Sequence, residues 1–478
     1  MKKEKKKIFV IVGAVVACLA VVYVGFGIFF QSHFCFGTTI DGIKAGGKSV
    51  EKVEQLITEE IDSYVLNLAE REDGSESISG ESIQIAPVFN GEVEELLNGQ
   101  NGFAWVVTLF KHDNLELAKV VTFDEDALDS QIDQLNCMQA SEQREPVDAT
   151  VSAYTADGYS LVPADYGTTI DKNTFKKAVE DSILVLADEL DLDEADCYVK
   201  PEIEDDNEKL LAVIDEMNSY VGTTITYDFD VAKEVLDGER ISEWLSVDDD
   251  LNLVVDEEGV LSFVKELASE YNTCYKPKEL KTSYGSTVTI SNGPYGWKIN
   301  NSEEVAQILD DLKAGKKVER EPVYAQTANS HGENDYGNSY VEINLTAQHL
   351  FLYKDGVLVT ESDFVSGNVA KGHATPGGAF MLTYKTLNAV LRGPDYETPV
   401  TYWMPFNGDI GMHDLTSRKA FGGDIYKTRG SHGCINLPYS AAKKIYETID
   451  KGYCVLVYNL PGTESDTVKQ KEATAVVN

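Results

Sequence analysis

Three side chains near the C-terminal end of the chain are of types that can do chemistry together: His413 in GMHDL, and His432 and Cys434 in RGSHGCINL. A thiol is mostly protonated at neutral pH and becomes a strong nucleophile when a base takes its proton or its pKa falls. His432 stands two residues from Cys434, so in an extended chain the two share a face, yet its ring need not reach the sulfur. A histidine on an adjacent strand approaches a thiol frontally, which makes His413 the better base. Asp414 or a nearby backbone carbonyl is placed to orient that ring, as a third group does in catalytic triads. Gly433 lets a substrate come close to the main chain, and the amides of Gly433 and Cys434 are candidate oxyanion donors. The same residue types suit zinc, although no fourth ligand is evident. An isolated cysteine on an apolar stretch is more often a buried core residue. The residues alone leave nucleophile, ligand and filler open.

The elements around these residues read as a mostly β domain over 338–460. From Tyr340 the pattern YVEINLTAQHLFLYKDGVLVTESD alternates apolar and polar residues around Lys354-Asp355-Gly356, a hairpin signal. Strand-like runs follow in GAFMLTYKT and PVTYWMPFNGDIGMH, the second delivering His413. A helical pattern covers Ser440–Asp450, and YCVLVYNL reads as a closing strand, with Cys454 a core residue and 461–478 a tail. His373, in KGHATPGG, reads as a loop residue. Tyr402 and Trp403 fit core packing or a groove lining equally, and Arg429 has no assigned role.

Upstream the chain repeats itself. Leu97-Asn98-Gly99 precedes Trp105 as Leu236-Asp237-Gly238 precedes Trp244. Phe123–Leu135 parallels Val255–Leu267, and Tyr166–Ile183 parallels Tyr295–Leu312, each with an Asp or Asn before a helical pattern. These landmarks imply two α+β modules, at 80–210 and 211–327, with both tryptophans in their cores. A strand-helix segment at 31–79 precedes them. The seven cysteines are scattered and form no CxxC, so a disulfide scaffold or zinc ribbon is unsupported. A net charge of -39 argues against a nucleic-acid partner, which needs a basic footprint. The N-terminus is the exception, with five lysines in residues 1–7 before the uncharged run Ile8–Phe30. That run is long enough to span a bilayer, and the lysines place residues 1–7 in the cytoplasm and the remainder outside. Val15–Cys18 offers a competing reading as a lipoprotein processing box.

The pattern GMHDL…GSHGCINL, with seventeen residues between His413 and Ser431, resembles the signature of the L,D-transpeptidase (YkuD) family. INLTAQHLFLYKDGVLV, ATPGGAF and YWMPF are similar as well, so the resemblance covers about 340–458. The two modules resemble, more loosely, the peptidoglycan-binding domain found ahead of this catalytic domain. The resemblance implies a multidomain chain: a transmembrane helix, two α+β modules and a β-sandwich-like catalytic domain. It implies a two-step acyl transfer in which Cys434 attacks a stem tetrapeptide, D-alanine leaves with a proton from His413, and a second stem's amine takes the acyl group as a 3→3 cross-link. Ser431, His432 and Asn436 have supporting roles, and no metal or organic cofactor is required. The partners implied are peptidoglycan stem peptides and glycan, on the wall side of a Gram-positive cell membrane that the N-terminal helix crosses once. Hydrolysis alone, as an L,D-carboxypeptidase, and a non-catalytic wall-binding protein are the alternatives.

Overall fold

The computed structural model describes residues 2–117, 120–332, 334–393 and 396–464; most of the expected tail, 465–478, lies outside the described residues. The chain divides into two compact units, Met1–Val151 with Leu161–Asn207, and Ser152–Ser160 with Glu208–Asn478.

The first unit opens with the helix Lys2–Phe29, which is long and apolar enough to cross a membrane. Its apolar side chains from Ile8 to Val24 are exposed on every face, the reverse of a core helix. Beyond it, Ser49 caps the helix Val50–Asp62, which buries Val53, Ile57 and Ile61 at a spacing of four. A hairpin of Val65–Ala69 and Ser75–Ser79 follows, and Glu189–Asp191 adds alongside the first strand in parallel.

The second unit begins with the same frame. Helix Glu208–Val221 leads into a hairpin of Thr224–Asp228 and Lys233–Leu236, and Lys317–Arg320 joins its first strand in parallel. Asp124 and Asp256 cap equivalent helices, as do Asp171 and Asn300. The two units share this frame, which in the first begins near Ser49 and not at 80. A boundary at 79/80 would cut the hairpin 65–79 away from the strand at 189–191 and from a core running from Phe34 to Tyr198.

The first sequence landmark was also out of register. Asp237-Gly238 leaves the hairpin and leads to buried Ile241, as Ser79-Gly80 leads to buried Ile83, whereas Leu97-Asn98-Gly99 ends a helix in an insertion. Trp244 is a core residue. Trp105 is not: its ring lies 4.9 Å from Phe26 and its Nε1 donates to the Tyr23 carbonyl at 3.1 Å, against the end of the long apolar helix.

The C-terminal domain is built on two sheets. One carries, in spatial order, Val357–Asp363, His349–Lys354, Tyr340–Asn344, Cys454–Tyr458 and Gly378–Met381; the other carries Thr386–Gly393, Tyr396–Asn407, Ile410–Asp414 and Ile435–Leu437. The expected hairpin turns at Asp355-Gly356, both at positive φ (50° and 77°), the backbone that an Asp-Gly pair supplies. Cys454–Tyr458 is buried throughout and flanked on both sides, parallel to Tyr340–Asn344, which explains its unbroken apolar run. Val341, Ile343 and Leu352 of one sheet share a core with Met404, Met412 and Ile435 of the other, and helix Tyr439–Thr448 closes it with Ala441, Ala442 and Ile445.

Candidate active site

The histidine and cysteine come together because two strands run side by side. Ile410–Asp414 lies parallel to Ile435–Leu437, with His413 opposite Asn436. Cys434 precedes Asn436 by two residues, so its side chain projects from the same face as His413. The His413 ring is buried, and Nδ1 lies 2.9 Å from the Asp414 carbonyl oxygen. A carbonyl only accepts, so Nδ1 carries the proton and Nε2 keeps its lone pair as a base. Burial holds the His413 pKa below the ordinary histidine value, against a smaller opposing pull from the Asp414 carbonyl and charge. The ring is therefore neutral, the form that accepts a proton. Its orienting group is the Asp414 carbonyl. The Asp414 carboxylate itself accepts the amides of Thr401 and Tyr402, at 2.8 Å each, and so fastens the histidine strand to its neighbour.

Cys434 ends a tight turn that Ser431 holds. Ser431 Oγ accepts the Gly433 N–H at 3.0 Å and donates to the Cys434 carbonyl at 2.6 Å. Gly433 has φ of 126°, and a Cβ there would stand 3.1 Å from Ile410, so both backbone and space favour glycine. Thr375 Oγ1 donates to the Gly433 carbonyl at 2.6 Å and accepts the Gly367 amide at 3.0 Å. The thiol donates to the Asp409 carbonyl at 3.5 Å, and the Gly411 N–H faces the sulfur. Burial pushes the thiol pKa up, the Gly411 amide lowers it, and the Asp409 charge raises it. A thiol so placed is protonated at neutral pH and needs a base. Among the described residues the Cys434 amide bonds no acceptor. Of the two expected oxyanion donors, Gly433 is thus already engaged by Ser431, and the Cys434 amide is open.

The other sequence candidates fall around this pair. His432 is exposed, its ring 4.8 Å from that of His373. Asn436 is buried, its main chain paired with Val365, and its Oδ1 has no hydrogen-bond partner among the described residues. Trp403, opposite His413 on the other neighbouring strand, packs its ring 5.9 Å away and donates Nε1 to the Tyr384 hydroxyl at 3.2 Å. Tyr402 turns to the core, where its hydroxyl meets that of Tyr439. His413, His432 and Cys434 do not converge as a metal-ligand set; among the described residues Glu70, Glu76 and Cys137 alone bring three such ligand atoms within 4.8 Å of one another. Sequence reasoning missed Thr375 and Gly411. Thr375 stood in plain view within ATPGGAF, but its bond to a turn some 58 residues away leaves no local signal.

A part-exposed thiol, a neutral histidine with a fixed tautomer on the same sheet face, and an open amide beside the sulfur define a cysteine acyltransferase. The comparisons name the class more narrowly. Residues 338–457 match the L,D-transpeptidase catalytic domain (YkuD), and residues 206–320 match the family described as "Putative peptidoglycan binding domain". Among solved structures, the Ldtfm-avibactam carbamoyl enzyme is 33% identical, covering 52% of this chain and 98% of that one (TM-score 0.44). A cysteine-to-serine mutant of the Enterococcus faecium L,D-transpeptidase is 32% identical over 51% of this chain and 99% of that one (TM-score 0.43). The catalytic domain of the E. faecium L,D-transpeptidase acylated by ertapenem is 43% identical over 25% and 97% (TM-score 0.24). No curated protein matches. The chain belongs to the L,D-transpeptidase family.

Proposed function

We propose that this chain is a membrane-anchored L,D-transpeptidase that forms 3→3 cross-links in peptidoglycan, with Cys434 as nucleophile and His413 as its base and acid. The observation that carries this reading is the His413 Nδ1 contact to the Asp414 carbonyl, which leaves Nε2 basic on the face that Cys434 shares. In the first step Nε2 takes the thiol proton as Sγ attacks the carbonyl carbon of the third stem residue. The oxyanion forms against the Cys434 amide. The C–N bond to D-alanine then breaks, His413 returns the proton to the leaving amine, and a thioester remains. In the second step the side-chain amine of another stem attacks the thioester and gives its proton to Nε2. The C–S bond breaks and the thiol is restored.

Membrane anchoring is supported by the apolar helix Lys3–Phe29 and by an exposed apolar stretch beside its end. Phe103, Val106, Val107, Leu109 and Phe110 are exposed, and the Tyr23 hydroxyl donates to the Phe103 carbonyl at 2.7 Å. Aromatic residues at such a junction suit a membrane interface. The module at 206–320 supports contact with glycan or stem peptide, and it carries a cleft of about 720 Å³ lined by Glu258, Asn272, Lys298, Asn300, Asn301 and Ser302. The module at 49–207 is read as a second binding module because it shares the helix, hairpin and parallel-strand frame of 206–320.

The test is intact-mass analysis of products from purified chain and a defined disaccharide-tetrapeptide. D-alanine release with a 3→3 dimer is expected, and Cys434→Ala should yield neither. Tripeptide without dimer would make the enzyme an L,D-carboxypeptidase. Products persisting in Cys434→Ala would overturn the assignment of the nucleophile. Ertapenem, which acylates the catalytic domain of the E. faecium L,D-transpeptidase, should add to Cys434 here.

A further inference from the structure

The loop that carries the chain from His413 to Cys434 holds a second polar feature outside the reaction just described. Residues Leu415, Ser417, Arg418, Lys419, Ile425 and Arg429 line a cleft of about 480 Å³. Arg418 follows His413 by five residues, and Arg429 precedes Cys434 by five. One guanidinium NH₂ of Arg418 donates to the Arg429 carbonyl at 3.0 Å, which ties the two ends of the loop together.

What sets this cleft apart is charge without a counter-charge. The chain has 80 acidic residues against 41 lysines and arginines, and many of its bases are paired. Arg71 meets Asp193, Lys278 meets Asp335, and Arg320 meets Glu304 and Asp311. In the cleft, Arg418, Lys419 and Arg429 have no carboxylate within ion-pair distance among the described residues. The nearby Asp424 is taken by Lys427 at 2.9 Å. Arg418 Nε is buried and has no acceptor among the described residues. Burial and the neighbouring Arg429 both lower the Arg418 pKa, as expected of a cation that nothing neutralises. A buried donor without an acceptor is unfavourable, and a guanidinium offers a planar fork that fits a carboxylate. The rest of the molecule is strongly acidic and repels anions, so an anionic substrate group needs a local positive site to be seated.

We infer that this cleft is a subsite for a carboxylate of the peptide stem, with Arg418 and Arg429 as its binding residues. The inference rests on the transpeptidase reading above and assigns part of its substrate recognition. Both donor and acceptor stems carry carboxylates, so the experiment separates them.

Steady-state kinetics of the full chain would be measured for wild type, Arg418→Ala, Arg429→Ala and Arg429→Lys. Donor and acceptor stems would each be supplied with the C-terminal carboxylate free or amidated. Loss of a charge-assisted contact should raise KM for the free-acid stem roughly 10- to 100-fold, with kcat changed little. Amidation of that same stem should raise the wild-type KM similarly and abolish the difference between wild type and Arg429→Ala. Arg429→Lys should recover part of the loss. Whichever stem shows this pattern is the one bound. Unchanged KM for both free-acid stems in both alanine variants would overturn the subsite. So would an arginine effect that persists in full on every amidated stem, or a fall in kcat alone, each of which marks a structural role. Acylation of Cys434 by ertapenem in the same variants separates this failure from failure of the transpeptidase reading, since it requires the thiol and no stem carboxylate.

Discussion

Cys434 and Cys454 lie in one domain, twenty residues apart, and burial raises the pKa of both thiols. They differ in access and in the groups around them. Cys454 starts an interior strand of a five-stranded sheet with no exposed surface, beside Tyr295, Tyr336 and Leu456. Its side chain faces the Tyr295 hydroxyl and the buried Lys278–Asp335 pair. Cys434 sits where a strand begins, after a glycine in a conformation other residues avoid, with an amide that bonds no acceptor among the described residues and His413 on the same face. A raised thiol pKa therefore does not distinguish filler from nucleophile in this fold. Access, a positioned base and a free donor do.

The comparison breaks most sharply at the sulfur itself. Cys434→Ala should lower D-alanine release by about 10⁴-fold or more with the fold intact by circular dichroism. Cys454→Ala should keep turnover within about twofold while losing roughly 1–3 kcal/mol of stability to a buried cavity, measured by chemical unfolding. Equal activity losses would erase the distinction. Next is His413→Gln, with an expected loss of about 10²- to 10⁴-fold in kcat/KM. Because burial lowers the His413 pKa from 6.5, the base stays neutral to lower pH than a free histidine. The acidic limb of the wild-type kcat/KM profile should accordingly lie below pH 6.5 and vanish in His413→Gln. A limb above 6.5 would contradict the buried neutral base. Smaller in scale, iodoacetamide should label Cys434 in the folded chain and reach Cys454 only after denaturation, as read by peptide mapping. Native labelling of Cys454 would show that the sheet opens.

How much of this was legible in the sequence depended on whether the cause was local. The Asp355-Gly356 turn, the caps Asp124, Asp171, Asp256 and Asn300, and the motif around Cys434 are short-range patterns and are seen where expected. The start of the first module was not legible. The strand at 189–191 that completes the 65–79 hairpin lies more than a hundred residues away, and no periodicity reports such a partner. Trp105 was misassigned because Leu97-Asn98-Gly99 imitates the true landmark, Ser79-Gly80. The chemistry of the site divides in the same way. Residue types at Cys434 and His413 pointed to a thiol and its base, but the occupancy of each amide is a matter of which side chain arrives from elsewhere. The Gly433 amide was expected to be free because nothing in GSHGC says that Ser431 Oγ turns back onto it.

That contact sets the smallest prediction. Ser431 Oγ bridges the Gly433 amide and the Cys434 carbonyl, so Ser431→Ala removes two hydrogen bonds from the turn that presents the thiol. Each contributes on the order of 0.5–1.5 kcal/mol. If the turn loses its order, kcat/KM should fall about tenfold, and Ser431→Thr, which keeps the hydroxyl, should recover most of it. The same change also frees the Gly433 amide beside the already open Cys434 amide. Were the freed amide able to serve the oxyanion, Ser431→Ala would gain at the transition state what it lost in the turn, and kcat would hold or rise. A tenfold fall with threonine rescue makes Ser431 the residue that positions the nucleophile. A rise would instead make it a restraint on a second oxyanion donor, and would move the contrast with Cys454 from one open amide to two.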